Sequence, residues 1–287
     1  KNISNNLKKL NIKSKDRIAA YMPNIPETVE AFLGSVAIGA IWSSCSPDFG
    51  INGVIERFSQ IKPKILIVTD QYFYNGKKIN ILERIPEIIK KIPSIKHVII
   101  SIYPGQLNLK KLPKYKNIKT HYWSNIIQVS VSKFKFLKFD FEHDLAILYS
   151  SGTTGKPKGV MLSHSNILAG GKNVMLSHKI NTNDRALCVL PLFHINGAIV
   201  TIIGPLVSQS SLVLCERFSV TNFWKFISKF KCTWFSVVPT IISALLNKTS
   251  ENEINGLDLS SLRFGRSASA ALAPETHKKF EEKFKTT

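Results

Sequence analysis

Ser150-Ser151-Gly152-Thr153-Thr154-Gly155-Lys156-Pro157-Lys158-Gly159 lies at the middle of the chain, directly after a short apolar run, Leu145-Ala146-Ile147-Leu148-Tyr149. An apolar run of this length predicts a buried strand. After Ser163 the pattern changes to helical spacing. The quoted stretch is therefore predicted to be a loop that leaves a strand and leads toward a helix, and the remaining elements are assigned outward from it.

The composition of this loop predicts that it binds a polyphosphate. Glycines let backbone N–H groups turn toward an anion, serine and threonine hydroxyls add donors, and lysine supplies a positive charge. The loop is not of the Walker A type, which requires Gly-x-x-x-x-Gly-Lys followed by Ser or Thr. Here Gly152 and Gly155 are too close together, and Pro157 follows Lys156. A solvent-exposed turn that binds nothing is the alternative interpretation.

Strands and helices alternate on both sides of the loop. The first half predicts strands at residues 16–22, 40–44, 65–68 and 97–101 and helices at 28–39, 51–61 and 79–91. The second half predicts strands at 145–149, 184–190, 211–215, 232–239 and 262–265 and helices at 164–178, 197–207, 220–230, 240–246 and 274–285. This alternation predicts an α/β fold with parallel sheets and helices on both faces.

A lysine-rich segment separates the two halves. Residues 110–138 contain eight lysines and no acidic residue, which indicates a variable surface loop over residues 102–140. Some packing is still expected there, because Trp123, Phe134, Phe136 and Phe139 lie within it. We therefore predict one α/β subdomain at residues 1–140 and a second at 141–287.

The residues from Ser151 to Gly159 resemble the signature of the adenylate-forming superfamily, which includes acyl-CoA synthetases, luciferases and peptide-synthetase adenylation domains. The resemblance implies two stacked parallel-sheet α/β subdomains, ATP, Mg²⁺, a carboxylic acid that becomes an acyl-adenylate, and CoA as co-substrate. It implies that the nucleotide phosphates are bound by the residues of the loop: Ser151, Gly152, Thr153, Thr154, Gly155 and Lys156, with Lys158 and Gly159 shaping it. Thr154 and Lys156 are the catalytic candidates among them.

The resemblance also assigns three segments of the second half. A Pro-x-x-His segment places His194 beside the acid and the adenylate, either as a wall of the site or as a catalytic contact. His194 needs no acid–base role, because a carboxylic acid is already ionised at neutral pH. Val238, Pro239 and Thr240 would line the acyl pocket. The small-residue loop Ser267-Ala268-Ser269-Ala270 would hold adenine; Ala268 stands where glycine is usual, so a need for positive φ would be met less easily.

The two halves resemble different branches of the superfamily. Gly39 to Gly50, with Arg57-Phe58 and Ile61-Lys62-Pro63-Lys64, resembles the acetoacetyl-CoA synthetase branch. Residues 159–164 and 190–247 resemble medium- or long-chain acyl-CoA and aryl-CoA ligases instead. Either the chain belongs to a group between these branches, or two coding sequences were joined near the loop.

The resemblance also implies parts that this chain lacks at both ends. Relatives continue with a nucleotide- and Mg²⁺-binding Tyr-Gly-x-Thr-Glu segment, a ribose-binding Thr-Gly-Asp segment and a C-terminal domain with a catalytic lysine. We therefore expect a fragment of the large N-terminal domain that forms little or no acyl-CoA alone, and we assign no metal-ligating residue.

Charge, cysteine content and hydropathy limit the alternatives. The net charge of +20 would suit nucleic acid or an anionic membrane, but the lysines are dispersed, which favours a solvated surface without nucleic-acid binding. The four cysteines are far apart and predict reduced core residues in a cytoplasmic protein. No signal peptide or membrane-spanning run is visible. An enzyme that loads a carrier protein, or a non-catalytic basic remnant that binds nucleic acid or membrane, remains the alternative.

Overall fold

The protein is described by a computed structural model over residues 1–74, 77–104, 111–128, 134–150 and 155–285. The chain divides into two compact units, Lys1–Ser165 and Asn166–Thr287. Each unit has its own main sheet, and in each sheet most or all neighbouring strands are parallel. The predicted α/β class is confirmed.

The first unit contains a seven-stranded sheet in the order β7-β6-β3-β1-β2-β8-β9 among the described residues. Its strands are β1 (Arg17–Tyr21), β2 (Ile41–Cys45), β3 (Ile65–Thr69), β4 (Gln71–Tyr74), β5 (Lys77–Asn80), β6 (His97–Ser101), β7 (Lys119–Tyr122), β8 (Asp144–Ser150) and β9 (Lys158–Ser163). Its helices are α1 (Asn2–Lys9), α2 (Pro26–Val36), α3 (Ile51–Ile61), α4 (Ile85–Lys91) and α5 (Trp123–Ile127), with a 3₁₀ turn at Leu82–Arg84. The pair β8–β9 is antiparallel, and β4 and β5 form a separate antiparallel hairpin.

Side chains on both faces of the first sheet are buried. Successive residues of a strand point to opposite faces. Ala19, Leu66 and Val68 join one core cluster with Phe58 of α3 and Ile88 of α4. The residues at the intervening positions are buried as well: Ile18, Ala20, Ile65 and Ile67. Continuous apolar strands of this kind are typical of a parallel sheet covered on both faces, as predicted.

The second unit contains a four-stranded, fully parallel sheet in the order β11-β10-β12-β13 within the described residues. Its strands are β10 (Arg185–Cys188), β11 (Ser211–Leu214), β12 (Trp234–Val237) and β13 (Phe264–Ser267). Its helices are α6 (His164–Ser177), which begins just before the boundary between the units, α7 (Gly204–Ser208), α8 (Val220–Phe230), α9 (Pro239–Lys248), α10 (Glu251–Ile254) and α11 (Pro274–Phe284), with a π-helix at Asn196–Ile203. An aromatic cluster around Phe223, Trp224 and Phe235 packs under α8, α9 and α11.

The boundary between the units differs from the predicted position at residues 140 and 141. Strands β8 and β9 follow that position, yet β8 pairs with β2 of the first sheet, where Trp42 lies opposite Ala146. The backbone hydrogen bonds of β8 are therefore made with the first unit. The compact unit extends to Ser165.

The lysine-rich segment contains more regular structure than the sequence predicted. β7 adds to the edge of the first sheet in parallel with β6. Trp123 and Ile126 of α5 are buried, and the Asn6 side chain donates a hydrogen bond of 2.7 Å to the Ile126 carbonyl. The expected packing of aromatic residues in this segment is confirmed for Trp123, whereas Phe136 is exposed.

The helix predicted at residues 197–207 is formed in two parts. A π-helix spans Asn196–Ile203, and a short α-helix follows at Gly204–Ser208. Pro205 lies in the first turn of α7 and has no backbone N–H, so the hydrogen-bond pattern has to change near this residue.

The four cysteines were predicted to be reduced residues of the core. Cys45, Cys188, Cys215 and Cys232 are all buried and free, which confirms the prediction of reduced core residues. Among the helices of the described ranges, none is both long and apolar enough to cross a membrane.

Candidate functional site

Three predicted site segments of the second unit follow strands at the same sheet edge. β10, β12 and β13 are parallel, so their carboxyl ends meet there. The segment with His194 follows β10, the predicted acyl-pocket wall follows β12, and the predicted adenine loop follows β13. The Ala268 N–H donates a 3.0 Å hydrogen bond to the Val237 carbonyl, which joins the second and third segments. Ligand sites of open α/β sheets lie at this edge.

A side-chain network connects all three segments. Ser236 of β12 donates a 2.8 Å hydrogen bond to Oδ1 of Asn196, two residues after His194. Nη1 of Arg266 in β13 donates to Oγ of Ser236 at 2.9 Å and to Oδ1 of Asn196 at 3.3 Å. Asn196 and Ser236 are buried, and Arg266 is partly buried. The structure thus brings together residues that lie 70 positions apart in sequence.

None of these three residues was among the predicted site residues. A signal was available for one of them, because Arg266 is a charged residue in a short strand next to small side chains. Asn196 and Ser236 gave no such signal. Their role depends on strand pairing, which places Ser236 directly beside Arg266.

His194 lies on an exposed turn at the same edge. Its backbone N–H donates to the Pro191 carbonyl at 3.1 Å, and its ring centroid is 4.4 Å from that of Phe193. Gly197 allows this turn to close, because a Cβ atom there would lie 2.2 Å from the Pro191 carbonyl oxygen. The turn leaves the His194 side chain exposed to solvent at the strand ends.

The predicted acyl-pocket wall begins α9. Val238 precedes the helix in an extended conformation, and Pro239 occupies its first turn. Val238 and Pro239 are partly buried, whereas Thr240 is exposed. Proline suits this position because the first turn needs no backbone N–H donor.

The predicted adenine loop takes a left-handed backbone conformation one residue later than expected. The positive φ falls on Ser269, at 72°, and not on Ala268. Ser267 and Ala268 are partly buried, whereas Ser269 and Ala270 are exposed. Oγ of Ser267 is buried and has no hydrogen-bond partner among the described residues. A cavity of about 360 Å³ borders this loop and is also lined by His178, Phe264, Arg266 and Leu272.

The predicted phosphate loop joins β8 and β9 of the first unit. Ser151, Gly152, Thr153 and Thr154 lie outside the described residues. The strands around them pair in antiparallel register, with Ser150 opposite Lys158 and Tyr149 opposite Gly159. The helix predicted after Ser163 is confirmed, but a strand, β9, separates it from the loop.

The described part of the loop is open. Gly155 has a φ of 75°, and no atom of the described residues lies within 4 Å of the place where its Cβ would be. Lys156 and Lys158 are exposed. Gly159 packs closely, since a Cβ there would lie 3.0 Å from Cγ2 of Ile147. An open left-handed glycine beside exposed lysines fits the approach of an anion.

Helix α3 supports the base of this hairpin. Nε2 of Gln60 donates a 3.0 Å hydrogen bond to the Pro157 carbonyl, and the Tyr149 hydroxyl donates to the Arg57 carbonyl. The Arg57 guanidinium lies 4.2 Å from the centre of the Phe49 ring and 5.9 Å from that of Tyr149. Burial of the Tyr149 hydroxyl raises its pKa, so Tyr149 stays a neutral donor.

The described residues contain no cluster of three or more His, Cys, Asp or Glu side chains arranged to hold a metal ion. The described groups at the loop are lysines and glycine N–H donors, which suit an anion and not a cation. Any Mg²⁺ at this site would therefore be held mainly by the phosphates and by groups outside the described residues.

A parallel α/β scaffold, a glycine- and lysine-rich loop and a strand-edge site define a class of nucleotide-binding enzymes. Comparison with known proteins agrees with this class: the family model described as "AMP-binding enzyme" matches residues 1–287. The chain belongs to the AMP-binding enzyme family.

Individual relatives are similar over parts of the chain. An acetoacetyl-CoA synthetase from Xenopus tropicalis is 40% identical over 155 residues, which are 53% of this chain and 23% of the relative. A sulfoacetate–CoA ligase from Cupriavidus necator is 49% identical over 138 residues, 48% of this chain and 26% of the relative. The structure of the acetoacetyl-CoA synthetase from Streptomyces lividans matches with a TM-score of 0.87 at 26% identity, over 99% of this chain and 43% of that one.

These matches confirm the predicted resemblance and the fold. They also show that the matched parts of the chain cover about a quarter of the length of these two curated relatives. The relatives bear two ligase names. The assignment of the two halves to different branches stays a prediction.

Proposed function

We propose that the enzyme that carries this chain is an ATP-dependent acid–CoA ligase. In the first step a carboxylate oxygen of the acid attacks the α-phosphorus of ATP, and pyrophosphate leaves. In the second step the CoA thiol attacks the acyl carbon, and AMP leaves. No base is needed in the first step, because the acid is already ionised.

The main support for this proposal is one structural observation. The segments predicted to contact the acid, the acyl chain and adenine are joined by hydrogen bonds at the carboxyl edge of a single parallel sheet, through Arg266, Ser236, Asn196 and the Ala268 N–H. The family match over the whole chain and the names of the relatives support the same reaction type.

The phosphate loop would stabilise the charge that develops as pyrophosphate departs. Donors aimed at developing charge lower the barrier of such a step. The residues assigned to this role are Ser151, Gly152, Thr153, Thr154, Gly155 and Lys156, with Lys158 and Gly159 shaping the loop. Mg²⁺ would share the neutralisation of the phosphates.

The acid is proposed to be short. The relatives are named for acetoacetate and for sulfoacetate, both of which carry a polar group close to the carboxylate. His194, Val238, Pro239 and Thr240 would contact it. We also propose a cytoplasmic location, which the four buried free thiols support.

The test is ATP–pyrophosphate exchange by the enzyme that carries this chain, over a panel of acids that includes acetoacetate. Thr154→Ala should lower exchange by about 100-fold, the scale of a lost transition-state donor. Thr182→Ala, at an exposed turn, is the matched control. Normal exchange in Thr154→Ala would remove the loop from the mechanism.

A second measurement tests whether the acyl group is transferred to free CoA or to a carrier protein. Acyl transfer to free CoA supports the ligase. Transfer only to a carrier-bound phosphopantetheine would show that the enzyme loads a carrier protein instead.

A further inference from the structure

Arg263, which directly precedes β13, and Arg266, which lies within β13, have contrasting environments. Arg263 forms two hydrogen bonds of 2.9 Å to the Asp184 carboxylate, so its charge is balanced. Arg266 lies three residues later and, among the described residues, donates to the neutral Ser236 and Asn196 side chains. Within the described ranges no carboxylate forms an ion pair with Arg266.

The positive charge of Arg266 is thus partly buried, with no counter-ion in the part of the chain that the structure describes. Removing a guanidinium from water is costly unless an anion or further acceptors compensate. The cost is visible in the pKa of Arg266, which burial lowers from its ordinary value. A protein without a use for this charge would be more stable with a neutral side chain here.

The groups around Arg266 offer unused donors. Nδ2 of Asn196 is buried and has no hydrogen-bond partner among the described residues, although Asn196 is only 6% exposed. An amide nitrogen carries two N–H donors, and a guanidinium carries five. The donors exceed the acceptors at this point, which is the arrangement that binds an anion.

The position of this cluster indicates which kind of anion it would bind. Asn196 lies two residues from His194, Ser236 lies two residues before Val238, and Arg266 directly precedes Ser267. The cluster therefore lies among the segments that would contact the acid and the adenylate. The family's phosphate loop, by contrast, belongs to the other compact unit.

We propose that Arg266, Asn196 and Ser236 form a subsite for a second anionic group, a carboxylate or a sulfonate, on a short substrate acid. This group is additional to the carboxylate that is activated, and the inference rests on the function proposed above. Arg266 pairs with the charge, and the Asn196 amide donates to a further oxygen. An acid with one charge leaves the guanidinium uncompensated and binds more weakly.

The test compares doubly and singly charged acids in ATP–pyrophosphate exchange by the enzyme that carries this chain. The probes are sulfoacetate and malonate against acetate and butyrate. In Arg266→Gln, KM for sulfoacetate and malonate should rise by about 30-fold or more, as for a lost buried charge contact. KM for acetate and butyrate should rise much less, because those acids make no such contact and are affected only by the loss of the hydrogen bonds from Arg266 to Ser236 and Asn196.

Two variants serve as controls. Arg266→Lys keeps the charge but loses the planar donors, so it should recover part of the loss. Arg185→Gln removes a guanidinium at the opposite end of the same sheet and should leave the acid preference unchanged. Thermal melting of each variant checks that it is folded.

The other outcomes overturn the inference. An equal loss for all four acids would show that Arg266 only positions the segments or contacts the adenylate. A wild-type enzyme that prefers acetate or butyrate would also refute a second-anion subsite. If no acid supports exchange, the proposed function fails; calorimetry then decides the subsite alone, since sulfoacetate or malonate must bind to wild type and not to Arg266→Gln.

Discussion

At the residue scale, Asp184 shows how one carboxylate can hold several segments of the second unit. Its oxygens accept hydrogen bonds from Arg263 at 2.9 Å, from the Thr233 hydroxyl at 2.6 Å and from the Asn181 N–H at 2.9 Å. Burial by itself would raise its pKa. The hydrogen bonds, from Arg263 first, outweigh burial, and the pKa lies below its ordinary value of 3.8.

Asp184→Asn should therefore destabilise the protein in a pH-dependent way. At about pH 7 the free energy of unfolding should fall by about 2–4 kcal/mol, because Arg263 loses its partner. The pKa is lowered on folding, so the wild-type contribution is present above pH 3.8 and is lost as pH falls through the lower folded-state pKa. Urea unfolding should show the two proteins converging in acid.

Asp258→Asn is the matched control for this prediction. Asp258 pairs with Lys231, but both side chains are more than half exposed. Ion pairs on the surface contribute little, so no measurable change is expected. A constant difference between wild type and Asp184→Asn down to strong acid would contradict the assignment of a lowered pKa.

At the element scale, the β8–β9 hairpin and helix α3 act as one support for the phosphate loop. The contacts are those of Gln60 with the Pro157 carbonyl and of Tyr149 with the Arg57 carbonyl. They fix the strand just beyond the loop and the strand just before it. These contacts hold both ends of the predicted phosphate loop against α3.

Gln60→Ala should weaken the use of ATP but not of the acid. Loss of one hydrogen bond of about 1 kcal/mol predicts a rise of about fivefold in KM for ATP. KM for the acid should stay unchanged, because the predicted acid contacts lie in the other unit. Gln128→Ala, at an exposed position after α5, is the control. An equal effect on both substrates would indicate general destabilisation instead.

Also at the element scale, most strands were predictable because their residues form continuous apolar runs. The sequence did not reveal the β4–β5 hairpin, where apolar and polar residues are mixed. The helix predicted at residues 79–91 begins only at Ile85, with Pro86 in its first turn. Nor did the sequence reveal β9, whose Val160 and Met161 are exposed. Local patterns are weakest where a strand has one open face.

Site residues, like strands, could be predicted only where the local sequence has a clear pattern. Segments with local composition signals, such as the phosphate loop and the Ser267–Ala270 loop, could be proposed from the sequence. The contacts of Arg266 could not, because Asn196 is 70 positions away in the chain and Ser236 is placed beside Arg266 by strand pairing. The left-handed residue of the predicted adenine loop, Ser269, was likewise set by backbone geometry and not by residue type.

At the scale of the whole molecule, the net charge of +20 favours the approach of anionic substrates. A positive charge of this size would also suit the binding of nucleic acid. Several lysines are interleaved with acids, as in α11, where Lys279 pairs with Glu275 and Lys278 with Glu282. An open groove of about 670 Å³ in the first unit has four lysines in its lining: Lys90, Lys96, Lys114 and Lys116.

Nucleic-acid binding should accordingly be weak and non-specific. A dedicated site that contacts many phosphates loses affinity steeply with salt, with a log–log slope of about −0.9 per phosphate. Because the lysines are dispersed, we expect a slope no steeper than about −3 and no detectable binding at about 150 mM salt. The measurement is fluorescence anisotropy of a labelled duplex titrated at several salt concentrations.

A variant with Lys90, Lys96, Lys114 and Lys116 all changed to Gln tests whether the groove is responsible for any binding that is seen. With dispersed charge, removing four of the 39 basic residues should lower affinity only in proportion to the lost charge. A slope steeper than about −6 in the wild type, abolished by this variant, would show a nucleic-acid site in the groove. The lysine-rich surface would then have a function separate from the ligase reaction.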